Sequence, residues 1–223
     1  MGYFYIMKAG TKIIIEQGFA NRFVRASQLD RLISGTPERR YSLVNRAMKS
    51  GELLRLQRGL YVLDDHYRSY PCHPFAVAQA LVPGSYISFE TALAYHGWIP
   101  ERVYSIASVV PGRKSRQYEN KKLGIYSFHP LAIQSGYFLE LVNRVQVDEQ
   151  MMLVAKPCRA LIDLICLRKI AWKGLEWLAE GLRIDPGLLS SITRRDINTL
   201  ELVYKNKRVK SFLSSLSLEL DID

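Results

Sequence analysis

Over the first 63 residues the apolar positions change their spacing along the chain. From Phe4 to Gln17 they gather as Ile6, Met7, Ile13, Ile14 and Ile15 and stop at Gly18, which predicts a helix. Phe23-Val24-Arg25 reads as a short extended piece. Ser27 then stands as the cap of a helix over Gln28–Ile33, with Asp30 three residues on as in a capping box. Ser34-Gly35-Thr36-Pro37 is a turn. Thr36 suits an N-cap, Pro37 the first helical position, and Glu38 the positive end of the helix dipole. The third helix is expected from Pro37 to Ser50, closed by Gly51. Across Leu53–Leu63 the period falls to two, and Arg58-Gly59 supplies a turn, so this stretch predicts a hairpin.

The polar positions of the third helix are as ordered as its apolar ones. At about 100° per residue, Leu43, Val44, Ala47 and Met48 share one face. Arg39, Ser42, Asn45, Arg46 and Lys49 fall on an opposite arc of about 120°. These side chains can reach phosphates and base edges: Arg pairs with guanine, Asn with adenine, and Ser and Lys with backbone or base. Arg40 falls near the apolar side. Arg55 and Arg58 put positive charge on the hairpin rim, where phosphates are the natural partner. A basic helix followed by a basic hairpin predicts a winged helix-turn-helix that binds double-stranded DNA. The plainer alternatives are a solvated amphipathic helix and an edge hairpin whose arginines block aggregation.

Charge sharpens this picture. The chain has 31 Lys and Arg against 21 Asp and Glu, a net charge of +10. Residues 1–68 hold 12 of the basic and 6 of the acidic residues, so +6 lies in under a third of the chain. Such a local field attracts polyanions and makes binding salt-dependent. The 223 residues, 48 % hydrophobic, suffice for one large or two modest cores. No apolar run reaches the roughly eighteen residues of a membrane span. The opening segment has no basic n-region and is soon interrupted by Lys8 and Lys12, so no signal peptide and a cytoplasmic location are expected. Cys72, Cys158 and Cys166 form no CxxC pair and the four histidines are scattered, so neither a metal nor a cofactor is expected.

Asp64 to Pro74 reads as a linker between a DNA-binding domain, residues 1–68, and an α+β domain with a helical tail, residues 75–223. In the second part, helices are expected over Phe75–Leu81, Phe89–His96 (closed by Gly97) and Pro157–Leu167. Strands are expected over Tyr86–Ser88, Val103–Val110, Gly124–Phe128, Val142–Val147 and Met151–Ala155. Pro111–Arg116 is expected to be a basic loop, and Lys205–Lys210 is a further basic run. From Trp172 the pattern is helical, with breaks at Gly181 and at Asp185-Pro186-Gly187.

No catalytic constellation emerges. Asp148-Glu149 and Asp163 lack the spacing of a metal-dependent nuclease. Pro83-Gly84-Ser85 is followed by no paired aspartates, and His96 has no carboxylate placed to orient it. Asp163, surrounded by Leu161, Ile162, Leu164 and Ile165, reads as a buried anchor or cap contact. Not an enzyme is therefore the expectation.

Three strings carry a family resemblance: Arg58-Gly59-Leu60-Tyr61, Tyr86-Ile87-Ser88-Phe89-Glu90-Thr91-Ala92-Leu93-Ala94-Tyr95-His96-Gly97, and Val154-Ala155-Lys156-Pro157-Cys158-Arg159-Ala160-Leu161-Ile162-Asp163-Leu164. Over roughly residues 10 to 170 the chain resembles the AbiEi antitoxins of bacterial abortive-infection systems, often described as transcriptional regulators of viral defence. The resemblance implies an N-terminal domain that represses its own operon and a C-terminal domain that counteracts a nucleotidyltransferase-like toxin encoded next door. A one-component repressor whose second domain senses a small molecule is the main alternative.

Overall fold

The computed structural model describes residues 7–101 and 103–221, a mixed α+β arrangement with two sheets among the described residues. The chain divides into two compact units, Met1–His73 and Pro74–Asp223.

In the first unit, α1 (Ala9–Glu16), α2 (Ala26–Leu32) and α3 (Pro37–Lys49) pack with β1 (Val24–Arg25), β2 (Leu53–Gln57) and β3 (Leu60–Leu63). The strands form an antiparallel sheet in the order β1-β3-β2. Ile14, Val24, Leu29, Ile33, Leu43, Ala47, Leu53 and Leu63 make one core, drawn from every helix and all three strands. Gly10 allows α1 to lie close against α3, because a Cβ there would sit 3.0 Å from the Leu43 carbonyl oxygen. The start of α3 follows its sequence signals: Thr36 accepts the Arg39 N–H (3.3 Å) and Pro37 opens the helix.

Two helix starts differ from the sequence expectation. Phe4 and Ile6 lie outside the described residues, but Met7 and Lys8 are described and are not helical. Lys8 is extended, and its N–H donates to Oε2 of the buried Glu52 (2.9 Å), so the helix opens only at Ala9. Ser27 does not cap α2. The strand β1 runs straight into the helix, with Arg25 paired to Leu60 and the Ala26 N–H donating to the Gly59 carbonyl (2.9 Å). Gln28 Oε1 accepts the Arg25 N–H (2.8 Å), which places Ser27 inside the first turn and leaves Asp30 outside any capping box.

The early part of the expected linker packs as structure. Asp65–Tyr67 forms a 3-10 turn, and Tyr67 packs on the core of the first unit. Arg68 Nη2 donates to the Asn21 carbonyl (3.3 Å), and the Ser69 N–H donates to Asn21 Oδ1 (2.9 Å).

The second unit is built on a six-stranded sheet in the order β6-β7-β5-β4-β9-β8. Its strands are β4 (Tyr86–Ile87), β5 (Ser105–Val110), β6 (Arg116–Asn120), β7 (Gly124–Pro130), β8 (Val142–Val147) and β9 (Gln150–Ala155). The pairs β4–β9 and β5–β7 are parallel and the others antiparallel. The helices α4 (Pro74–Leu81), α5 (Phe89–Tyr95) and α6 (Pro157–Arg168) precede a helical region of α7 (Leu175–Gly181), α8 (Pro186–Leu189), α9 (Arg194–Val203) and α10 (Lys207–Glu219). Arg116 opens β6 instead of ending a loop, and Val103 precedes β5 instead of opening it. The polar segment β6 is held by a full antiparallel register with β7, from Arg116↔Phe128 to Asn120↔Gly124.

The helical region after Trp172 is no loose tail. Val203, Tyr204, Val209, Phe212, Leu213 and Leu216 are buried. Tyr204 bridges Ile133, with the Gln134 N–H donating to the Val203 carbonyl (2.7 Å) and the Lys205 N–H to the Ala132 carbonyl (3.0 Å). Trp172 meets Phe212 edge-on at 4.8 Å, and its Nε1 donates to Glu219 Oε1 (2.7 Å).

Candidate nucleic-acid interface

The polar arc of α3 stays in water because the other side of the helix is committed to the core. Leu43 and Ala47 are buried, and Val44 and Met48 pack beside them. On the solvent side Arg39, Ser42, Arg46 and Lys49 are exposed and Asn45 is half-buried. Arg39 lies back over the preceding turn, with Nη1 donating to the Ser34 carbonyl (2.9 Å). Gly35, at φ +108°, makes room for it: a Cβ there would stand 3.0 Å from Arg39 Cδ and Nη1. Arg46 lies along its own helix, with Nε donating to the Ser42 carbonyl (3.3 Å). Arg40 turns the other way, pairing through Nε with Asp30 Oδ1 of α2 at 3.4 Å. Arg40 thus clips α3 to α2 and points off the solvent arc.

The hairpin follows α3 at once. Gly51, at φ +76°, ends the helix, and the Glu52 N–H donates to the Ala47 carbonyl (3.0 Å) as the chain enters β2. Arg55, exposed on β2, stands opposite Tyr61, and exposed Arg58 begins the turn whose Gly59 has φ +77°. The register slips between Arg55 and Gln57, an irregularity that sharpens strand twist close to the turn.

Charge on this unit is lopsided. Residues 1–73 carry 12 basic and 6 acidic side chains, net +6, whereas residues 74–223 carry 19 and 15, net +4 on twice the length. Glu38 is the acidic member of the first turn of α3. Backbone N–H groups at the helix start, then the Thr36 hydroxyl, hold its carboxyl below the ordinary value, so it stays charged at neutral pH. Tyr41 of α3, 74 % exposed, is a neighbour of this arc that the sequence reading did not single out. Its signal was available: an aromatic ring at a polar position of the wheel.

A second polar constellation lies inside the second unit and is closed to solvent. Asp163 of α6 accepts four hydrogen bonds. Tyr86 Oη (2.9 Å) and Ser88 Oγ (2.7 Å) donate to Oδ2, and Arg159 Nε (3.1 Å) and Tyr204 Oη (2.6 Å) donate to Oδ1. Arg159 also donates through Nη1 to the Glu140 carbonyl (2.9 Å) and through Nη2 to Tyr86 Oη (2.6 Å). All five side chains belong to residues with no measurable exposure. Burial is the largest single influence and opposes the Arg159 charge, but Asp163, Tyr204 and Tyr86 together outweigh it and hold the guanidinium above its ordinary pKa. Burial, with the same carboxylate, raises the Tyr86 and Tyr204 hydroxyls well above theirs. The tyrosines therefore act as neutral donors. Every lone-pair site of the carboxylate is occupied, so this cluster is an anchor that joins β4, α6 and the end of α9.

The other residues weighed for chemistry stand apart. Asp148 and Glu149 are exposed at the β8–β9 turn. His96 follows α5, with Nε2 2.9 Å from the Ala155 carbonyl. Thr91 Oγ1 donates to the Ser105 carbonyl (3.1 Å) and accepts the Ala107 N–H (2.9 Å), tying α5 to β5. Burial pushes the Cys72 thiol up to about 11, Cys158 to about 12 and Cys166 to about 11. Among the described residues no group of three or more His, Cys, Asp or Glu side chains is placed to hold a metal, and no helix is long and apolar enough to cross a membrane.

No family model matches the chain, and a search of curated proteins finds no significant match.

Proposed function

We propose that the first unit is a winged helix-turn-helix that binds double-stranded DNA at the protein's own promoter. In this reading α3 enters the major groove and the β2–β3 hairpin is the wing. The observation that supports it most is the solvent arc of α3, where Arg39, Ser42, Arg46 and Lys49 stand exposed above a buried apolar face. Arg39, Ser42, Asn45, Arg46 and Lys49 contact bases and phosphates, and Arg55 and Arg58 hold the backbone. The test is a fluorescence-anisotropy titration of the full chain against the duplex upstream of its reading frame, with a scrambled duplex alongside. A preference of about 10³-fold or more for the upstream duplex, weakening with salt, is expected. Equal affinity for both duplexes would reduce the reading to non-specific binding.

The resemblance of the three strings to AbiEi antitoxins extends this proposal. The protein is then a cytoplasmic, autorepressing antitoxin, and its second unit counteracts a nucleotidyltransferase-like toxin encoded beside it. Co-expression with the product of the neighbouring gene tests this through growth: rescue by the full chain supports it, and continued arrest with the chain present in soluble form rejects it. A second reading, a one-component repressor that senses a small molecule, is favoured by one observation, a cavity in the second unit.

A further inference from the structure

The second unit carries a solvent-open cavity of about 440 Å³, within the range of about 300–1,000 Å³ that small-molecule sites occupy. It exists because the sheet surface beneath it carries small residues. Ser105 and Ala107 alternate on β5, and Ser127 lies on the neighbouring β7, leaving space below α5 and α6. Phe89, Leu93 and Leu164 line it from the buried interior, and half-buried Leu167 and Leu182 offer accessible apolar surface. Phe89 reaches its place at φ +56°, a left-handed conformation that a bulky side chain rarely adopts, and its ring meets His129 edge-on at 5.6 Å. Strain of this kind gathers where a ligand site is being shaped.

The polar groups of the lining sort the ligand by charge. Glu90 is ion-paired with Arg168, and Glu101 pairs with Arg183 at 3.2 Å. His129 is half-buried, and burial lowers its pKa, so its ring is neutral at neutral pH. The lining thus holds a neutral imidazole and two carboxylates, each paired with a guanidinium: Glu90 with Arg168 of the lining and Glu101 with Arg183 beyond it. An anionic ligand would have to take Arg168 from Glu90 and crowd a third carboxylate into the space. A cation can donate a hydrogen bond to the Glu90 carboxylate without breaking the existing pair.

We propose that this cavity binds a small aromatic amine, with one or two fused rings against Leu167 and Leu182, its ammonium on the Glu90 carboxylate, and a polar ring edge toward Ser127 and His129. The site deepens and rests on the sensing reading, but its test involves no DNA, so failure of the ligand site and failure of the repressor reading are distinguishable.

The test compares three probes sharing one ring system, tryptamine, indole and indole-3-acetate, by isothermal titration calorimetry on the full chain at neutral pH. Tryptamine is expected to bind about tenfold tighter than indole, the effect of one added charge-assisted hydrogen bond, and indole-3-acetate weakest. Glu90→Gln should bring tryptamine down to the affinity of indole and leave indole unchanged. Ala107→Leu and Ser127→Leu, each checked for a native circular-dichroism spectrum, fill the floor and should abolish binding of all three. Indole-3-acetate binding as tightly as tryptamine would overturn the charge assignment. Tryptamine binding undiminished in both filling variants would place it elsewhere and overturn the site, as would no tryptamine binding at about 10 mM, well beyond what a ligand of this size needs in a fitting pocket.

Discussion

Arg46 of α3 and Arg159 of α6 are both helical arginines, and the chain treats them in opposite ways. Arg46 is exposed, and the one hydrogen bond described for it goes to a carbonyl of its own helix, Ser42, at 3.3 Å. Arg159 has no exposure, and three of its nitrogens donate to Asp163, the Glu140 carbonyl and Tyr86, while its guanidinium lies 5.3 Å from the ring centres of both Tyr86 and Tyr204. A buried charge whose three nitrogens each donate inside the protein is out of reach of a partner. A charge held in water by a rigid, apolar-backed helix keeps its donors for one. The buried cluster therefore stabilises the fold of its unit, and the exposed arc is where binding energy is to be sought.

The sharpest way to break this comparison is at Asp163. Asp163→Ala leaves a buried guanidinium and three buried hydroxyls without their acceptor, and should lower stability by about 3–5 kcal/mol in urea unfolding. Asp163→Asn should recover only part, because it keeps the shape but not the charge. A small effect, under about 1 kcal/mol, would mean that water or a shifted backbone satisfies Arg159, and the contrast with Arg46 would lose its basis.

The matching change on α3 should behave in the opposite sense. Arg46→Ala is expected to weaken binding to the promoter duplex by about 1–3 kcal/mol if the side chain reads a base. Its effect on stability should stay within about 0.5 kcal/mol, as for exposed positions generally. Unchanged affinity in Arg39→Ala, Asn45→Ala and Arg46→Ala combined would remove α3 as the reading helix.

These two clusters were unequally legible in the sequence. The start and the exposed arc of α3 depend on neighbours within one or two turns, so Thr36-Pro37-Glu38 and the wheel were enough to place them. The α2 cap was misread because its determinant is distant: Gly59 of the hairpin turn holds Ala26, Leu60 of β3 pairs with Arg25, and Ser27 has no part in it. Asp163 could be read as a buried anchor from its apolar neighbours, but the burial of Arg159 could not. Its partners Tyr86 and Glu140 lie 73 and 19 residues away, and an arginine carries no local sign that such partners will meet it. The edge strand β6 was missed for the same reason, since Arg-Gln-Tyr-Glu-Asn shows no apolar alternation and owes its extension to β7. The cavity was hidden too, because it is defined by the small size of Ser105, Ala107 and Ser127, which signal nothing until β5 and β7 lie side by side.

The hairpin offers a finer division within the exposed cluster. If Arg55 and Arg58 hold phosphates, Arg58→Ala should weaken promoter and scrambled duplexes by the same factor. The slope of log affinity against log salt should become shallower by roughly one unit for the lost contact. The check is anisotropy at four or so salt concentrations for both duplexes. A loss confined to the promoter duplex would show that the turn reads sequence, and the separation of reading helix from backbone-holding hairpin would fall.

The smallest expected effect concerns His129, which stands between the two extremes: half-buried and titratable. Burial lowers its pKa from the ordinary value of 6.5, opposed by the Glu90 carboxylate. The unfolded chain therefore takes up this proton at a higher pH than the folded chain does. Stability is then fully present above the ordinary value and declines as pH falls through it toward the folded value, because protonation favours the unfolded chain. His129→Gln removes the group, so the variant should lose less stability than the wild type when urea unfolding is repeated at steps from about pH 7.5 to pH 5. Only the difference between the two proteins is read, so contributions common to both drop out of the comparison. A variant that loses more than the wild type over this window would reverse the sign. It would mean that the Glu90 carboxylate dominates the environment of the ring and that the imidazole is charged in the folded state, which would also remove the neutral face that the aromatic-amine site requires.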